Sequence, residues 1–108
     1  MPDWSIKINI KGKAKAAVFT PDIDGTAPGT PLKVVTGDLV SWNNMTRQGH
    51  WPVPDDRKTY GLFMATPIEP AQSSTAYNVV AQAGTTISYH CYCHPEERGQ
   101  LVVVAFGQ

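Results

Sequence analysis

Glycine and proline are spread along the whole chain, and their spacing constrains the fold more than any other feature. The 108 residues include nine Gly and nine Pro, and both residue types interrupt helices and end strands. The apolar runs between them are short, as strands bounded by turns are. The sequence therefore favours an all-β chain of short strands over one built from long helices.

Alternating or continuous apolar character marks the individual strands. Residues 4–10 alternate apolar and polar side chains, which is typical of a half-buried strand. Further strands are predicted at 16–19, 32–35, 39–43, 74–80, 86–91 and 100–106. Residues 11–15 read as a bend, 22–31 as a loop, and 44–72 as a proline-rich segment with a turn at 61–64. About seven or eight such strands imply one β-sandwich or small barrel over residues 1–108.

The charge balance and hydropathy exclude two classes of partner. Nine Lys and Arg cancel nine Asp and Glu, whereas a nucleic-acid binder needs clustered positive charge. No apolar run is long enough to span a bilayer. The first residues lack the basic and apolar regions of a secretory signal, so we expect a cytosolic protein or a mature form with a start Met. No amphipathic or coiled-coil pattern is present, and we expect a monomer.

Four metal-binding side chains lie within residues 90–94, His-Cys-Tyr-Cys-His, at the end of a predicted strand. Alternation along that strand directs Tyr89 and Cys91 inward. His94 follows the strand, and Pro95 turns the chain so that the imidazole can swing back toward Cys91. A thiolate and an imidazole at this spacing can share one metal ion.

A second imidazole far away in the sequence strengthens the metal hypothesis. His50 follows the predicted strand 39–43 after a short polar loop. One Cys with two His, one remote and one close behind the Cys, is the ligand set of electron-transfer copper sites.

Two segments carry a resemblance to a known family. Residues 37–44 (GDLVSWNN), followed by His50, resemble the cupredoxin segment that leads to the first copper histidine. Residues 89–103 (YHCYCHPEERGQLVV) resemble the cupredoxin C-terminal ligand loop, in its short plastocyanin/amicyanin-like form. Residues 19–21 and the turn at 82–85 also match the cupredoxin pattern, so the resemblance covers most of residues 4–106. It implies a Greek-key β-sandwich of the cupredoxin type.

The resemblance implies one copper ion, Cu(I) or Cu(II), with three equatorial ligands in this chain. His50, Cys91 and His94 match the family's ligand positions. It further implies an electron carrier rather than an enzyme. Electrons would enter and leave through an exposed edge of His94, and His50 would be more buried. Larger redox proteins would dock briefly near His94. Cupredoxins usually work in the periplasm or outside the cell, so the resemblance implies an extracytoplasmic location.

The chain departs from the family at the axial position. The family's axial Met falls three residues after the loop His, where this chain has Glu97. We hypothesise that Glu97 is the axial ligand, as a carboxylate is in red copper proteins of the nitrosocyanin kind. A hard anionic oxygen would favour Cu(II) and a tetragonal geometry. The alternative is a solvated Glu97 or one paired with Arg98.

Three further residues differ from the family pattern. Cys93 stands where related short loops have Pro, and its backbone N–H could donate a second hydrogen bond to the Cys91 sulfur. Cys93 could alternatively be a ligand itself. Trp51 and Tyr92 replace residues that usually tie the two ligand loops together, so Trp51 either shields the site by packing or anchors at the surface.

The remaining conspicuous side chains have simpler interpretations. We read His90 as a solvent-facing strand residue, Trp4 and Trp42 as core, and residues 55–58 as a solvated turn. No Ser-His-Asp arrangement, phosphate loop or pair of catalytic carboxylates favours a hydrolase or transferase. Two alternatives to the carrier stay open: a copper enzyme or small-molecule binder with an open coordination position, and a copper storage or delivery protein.

Overall fold

The alternating segment at the start of the chain forms the first strand of a two-sheet structure. The computed structural model describes residues 2–10 and 16–107. Within them the strands are β1 Asp3–Ile10, β2 Ala17–Pro21, β3 Leu32–Val34, β4 Leu39–Asn44, β5 Pro52–Pro54, β6 Tyr77–Asn78, β7 Thr86–Cys91 and β8 His94–Val103. A single turn of 3₁₀ helix, Arg57–Thr59, is the only helix in these residues. None of the described helices is long and apolar enough to cross a membrane.

The strands form two four-stranded mixed sheets. The first has the order β2-β1-β4-β6 and the second β3-β8-β7-β5. In the first, β1 pairs parallel with β4 and antiparallel with β2. In the second, β8 pairs parallel with β3 and antiparallel with β7. The predicted all-β sandwich is confirmed.

An aromatic cluster fills the core between the sheets. The indole of Trp42 in β4 lies edge-on to the ring of Tyr89 in β7, with centroids 5.6 Å apart. Phe19 and Phe63 pack on the same Tyr89 ring at 5.0 Å and 5.5 Å. The indole N–H of Trp42 donates to the Tyr89 hydroxyl at 3.2 Å. Trp42 is therefore core as predicted, while the half-buried Trp4 packs against the core and donates to Asp38.

Two predicted strands differ from the structure by more than two residues at one end or both. The last strand runs over His94–Val103 instead of 100–106, because His94, Arg98 and Gly99 pair with β7 through the backbone and need no apolar side chains there. Phe106 lies beyond it and is exposed. The strand predicted at 74–80 is reduced to Tyr77–Asn78. The bend predicted at 11–15 lies outside the described residues.

Candidate metal centre

The hairpin of β7 and β8 carries three of the four predicted ligands. Cys91 is the last residue of β7 and His94 the first of β8, so only two residues separate them at the tip. The side chain of Cys91 is fully buried, which confirms the inward direction expected from alternation. Glu97 follows on β8, three residues after His94.

His50 reaches the same place from the segment between β4 and β5. Its backbone forms an isolated antiparallel bridge with Ile68, with N···O distances of 3.1 Å and 2.7 Å. The residue is buried, at 3% exposure. The bridge fixes His50 opposite the tip of the hairpin.

The structure brings all four predicted ligands together. One ligand atom from each of His50, Cys91, His94 and Glu97 lies within 4.8 Å of the others. The Cys91 sulfur is 3.6 Å from Nδ1 of His50 and 3.4 Å from Nδ1 of His94. The same two Nδ1 atoms lie 3.1 Å and 3.5 Å from Oε1 of Glu97.

The two carboxylate oxygens of Glu97 have different surroundings. Oε2 accepts a hydrogen bond of 2.7 Å from the backbone N–H of Ala17, at the start of β2. Oε1 is buried and has no hydrogen-bond partner. Glu97 as a whole is 3% exposed, and Arg98 pairs with Asp55 instead. Glu97 is thus neither solvated nor paired with Arg98.

The hydrogen bonds of His50 direct its Nδ1 lone pair into the centre. Nε2 lies 2.9 Å from the hydroxyl of Thr46, and this hydroxyl donates to the side-chain oxygen of Asn44 at 2.8 Å. The hydroxyl oxygen can accept from Nε2–H while it donates to Asn44, and in this tautomer Nδ1 is the unprotonated nitrogen. In this tautomer the lone pair on Nδ1 faces Oε1 of Glu97, and a cation between the two atoms removes their repulsion.

The protonation of His50 and Cys91 follows from their burial. Burial lowers the pKa of the His50 imidazole, while Glu97 acts to raise it and His94 to lower it. Burial raises the pKa of the Cys91 thiol, and hydrogen bonds from the backbone N–H groups of Trp51, Cys93 and His94 oppose that effect. A neutral imidazole and a thiol that loses its proton to a metal are the forms that ligation requires.

An aromatic pair ties the two ligand loops together. Trp51 follows His50 and Tyr92 follows Cys91; their rings lie 5.1 Å apart, and the Tyr92 N–H donates to the Trp51 carbonyl at 2.9 Å. The indole N–H of Trp51 also reaches the Met64 carbonyl at 3.2 Å. Of the two interpretations of Trp51, the structure favours the packed one.

The two histidines differ in exposure as predicted. The side chain of His94 is 30% exposed, against 2% for that of His50. Tyr92, Cys93 and Pro95 surround His94 on the surface and are exposed. Cys93 is not part of the cluster of four.

One sequence interpretation near the site is wrong, and another is incomplete. The His90 side chain is only 14% exposed and its Nδ1 lies 2.7 Å from Oδ1 of Asp55, so it is not a plain solvent-facing residue. Residues 55–58 form the exposed turn that the sequence predicted, and Asp55 within it also pairs with Arg98. Both contacts join residues more than 30 positions apart, beyond the reach of local pattern.

Sequence reasoning also missed Thr46 and Ala17. Thr46 lies four residues before His50, a spacing that carries no signal in an irregular loop. Ala17 contributes only its backbone N–H, so no side-chain pattern could have indicated it.

The residues present fit a copper ion. One thiolate and two imidazoles suit either oxidation state of copper, and a carboxylate oxygen adds a harder donor. The strongest indication of a cation is Oε1 of Glu97, because this oxygen is buried and has no hydrogen-bond partner.

Comparisons with known proteins agree on the fold. No model of a protein family matches the sequence, and neither does any curated protein. Among solved structures, the purple cupredoxin from Nitrosopumilus maritimus is similar, with a TM-score of 0.65 at 19% identity over 92% of this chain and 97% of that one.

Amicyanin structures are similar at slightly higher identity. A Cu(I) form of an amicyanin variant gives a TM-score of 0.55 at 27% identity over 92% of this chain and 81% of that one. A reduced Cu(I) form of another variant at pH 4 gives 0.57 at 28% over the same shares. The chain has the cupredoxin fold, and the resemblance noted in the sequence is confirmed.

Proposed function

We propose that this chain binds one copper ion through Cys91, His50 and His94, with Glu97 as the axial ligand, and that it carries single electrons. The observation that supports the proposal most directly is the buried Oε1 of Glu97, which faces both Nδ1 atoms and has no hydrogen-bond partner. The cupredoxin fold and the similarity to Cu(I) amicyanin structures point the same way.

Each ligand has a distinct role in this proposal. When bound, copper supplies the one-electron couple. The Cys91 thiolate provides the most covalent bond, and the two imidazoles complete a plane with it. His50 is held by Thr46 and by its bridge to Ile68, so it does not need to move when the charge changes. A site held rigidly in both states suits rapid electron transfer.

His94 is the proposed port for electrons. Its side chain is the most exposed of the four ligands, at 30%, and the exposed Tyr92, Cys93 and Pro95 around it carry no charge. Larger redox proteins would dock briefly on this face. Because the net charge is zero, electrostatic steering should contribute little to the association rate. Like other cupredoxins, the protein is expected to work in the periplasm or elsewhere outside the cytoplasm, as a monomer and not as an enzyme.

Titration with one equivalent of Cu(II), followed by absorption and EPR, tests the proposal. We expect an intense thiolate-to-copper band, with the short-wavelength component strong because a carboxylate is the axial donor. Glu97→Gln should shift intensity toward the long-wavelength component. Glu96→Gln is the matched control, since Glu96 is the exposed neighbour and should leave the spectrum unchanged.

The outcomes separate the possible functions. No charge-transfer band, with copper merely reduced, would refute the carrier and favour storage or delivery through thiols. A band that changes when azide is added would indicate an exchangeable position and favour the enzyme or small-molecule binder. An unchanged spectrum in Glu97→Gln would be consistent with the Cys–His₂ site and would refute only the proposal that Glu97 is the axial ligand.

A further inference from the structure

The pairing of the ligand hairpin changes register beside the metal centre. Regular pairing of β7 with β8 ends at His90 opposite Arg98, and the next pair is Cys91 opposite His94. The shift leaves residues 95–97 of β8 without a partner in β7. Glu97 therefore lies in a bulge, and its position depends on what fixes the last regular pair.

The carboxylate of Asp55, which lies outside the hairpin, contacts both residues of that last pair. Asp55 Oδ1 lies 2.7 Å from Nδ1 of His90, and Oδ2 accepts from the guanidinium of Arg98. The backbone N–H of Asp55 also donates to the Ser88 carbonyl at 2.9 Å. The carboxylate of Asp55 thus bridges His90 and Arg98, with one oxygen on each.

Asp55 connects the three chain segments that supply the ligands. It directly follows β5, whose first residue, Pro52, is two residues after His50 and pairs with Cys91. Its two side-chain partners, His90 and Arg98, directly adjoin Cys91 and Glu97. Moving Asp55 would therefore disturb all three segments at once.

We infer that Asp55 is a positioning residue of the metal centre: by holding His90 to Arg98 at the edge of the bulge, it sets how closely Glu97 approaches Cys91 and the two histidines. The inference rests on the proposed copper function. The exposed fractions of Asp55 (37%) and Arg98 (56%) are large, so the pair contributes little to overall stability. Its effect is on the placement of the axial carboxylate.

Asp55→Asn tests the inference, with Asp56→Asn as the matched control. Asp56 is the adjacent carboxylate, and it accepts from the Lys58 N–H at the start of the 3₁₀ helix without a contact to the hairpin. In Asp55→Asn we expect the short-wavelength charge-transfer band to lose intensity relative to the long-wavelength band, and the Cu(II) affinity to fall about tenfold, as for other residues that orient metal ligands. Cu(I) affinity should change less, because the hard carboxylate favours Cu(II). Asp55→Glu should restore part of the wild-type spectrum.

Three results decide the matter. The expected spectral change in Asp55→Asn, absent from Asp56→Asn, supports the role. A lower melting temperature of Asp55→Asn with a wild-type spectrum and affinity would show a merely structural contact and overturn it. If the wild type itself forms no thiolate-to-copper band, the proposed function fails and the role of Asp55 fails with it. If the wild type forms the band and the spectrum of Asp55→Asn is the same, only the role of Asp55 is refuted.

Discussion

Gly99 lies where the hairpin leaves no room for a side chain, and Gly99→Ala should destabilise the protein measurably. Gly99 is paired with Tyr89 across the two strands. A Cβ built on Gly99 would lie 2.5 Å from the Tyr89 hydroxyl oxygen and 2.8 Å from Cε2, with Cζ closer still. Carbon atoms normally approach to about 3.5 Å, so the ring must move by roughly 1 Å.

The ring has little freedom to move. Tyr89 is 1% exposed, and Phe19, Trp42 and Phe63 pack around it with centroids 5.0–5.6 Å away. Overpacking of this kind costs about 1–3 kcal/mol. The reduced entropy of the unfolded chain offsets about 0.4–1 kcal/mol. The net loss of about 1–2 kcal/mol should lower the melting temperature by roughly 10 °C in a domain of this size.

Thermal unfolding of the metal-free protein, followed by circular dichroism, measures this loss. Gly61→Ala is the control, because a Cβ on Gly61 meets nothing within 4 Å and should change stability little. The cost of Gly99→Ala should also fall in a Tyr89→Phe background, where the ring loses its hydroxyl and its bond to Trp42. Equal melting temperatures for Gly99→Ala and Gly61→Ala would refute the reasoning.

Three further predictions concern the core tyrosines and the second cysteine. Tyr89→Phe alone should cost about 1–3 kcal/mol in urea unfolding, because the Trp42 indole N–H is left buried and unpaired; a loss no larger than for a surface Tyr→Phe would contradict this. Burial raises the pKa of Tyr77 and of Tyr89 above the ordinary 10.0, so the unfolded chain loses these protons first. The free energy of unfolding should therefore be unaffected below pH 10 and fall as the pH rises above it. The fall should be shallower in Tyr77→Phe; an equal slope in the variant and the wild type would contradict the reasoning. Cys93→Ser should keep the thiolate-to-copper band and Cys91→Ser should abolish it, since Cys91 is buried in the cluster and Cys93 is exposed; the reverse would make Cys93 the ligand.

The parts of the fold that the sequence predicted are those governed by local pattern. Residues 3–10 alternate in burial because one face of β1 packs on the core, and the same alternation is visible in the side chains. The first half of β8 has no such pattern, because its residues are polar apart from Pro95 and Gly99, and it is joined to β7 through the backbone of His94, Arg98 and Gly99. A strand held by its neighbour's backbone cannot be recognised from its own residues.

The ligand set was predictable to different degrees. Cys91 and His94 are three residues apart at a strand end, so the local spacing indicated them. His50 lies 41 positions before Cys91; its residue type and its place after a predicted strand suggested it, and the family resemblance then matched it to a ligand position. The contact between Asp55 and Arg98 spans 43 positions and depends on how β5 lies along β7, which no local rule contains.

The surroundings of Glu97 bear on whether the proposed copper position is closed or open. An exchangeable axial position needs a ligand that can leave or a gap that water can enter. Oε2 of Glu97 is held by the Ala17 N–H, which lies 80 positions away in the sequence, in a buried bond of 2.7 Å, and charge-assisted bonds of this kind are costly to break when buried. Holding Oε2 leaves Oε1 directed at His50 and His94. A fixed carboxylate in that place favours a closed site, and a closed site favours the electron carrier over the enzyme.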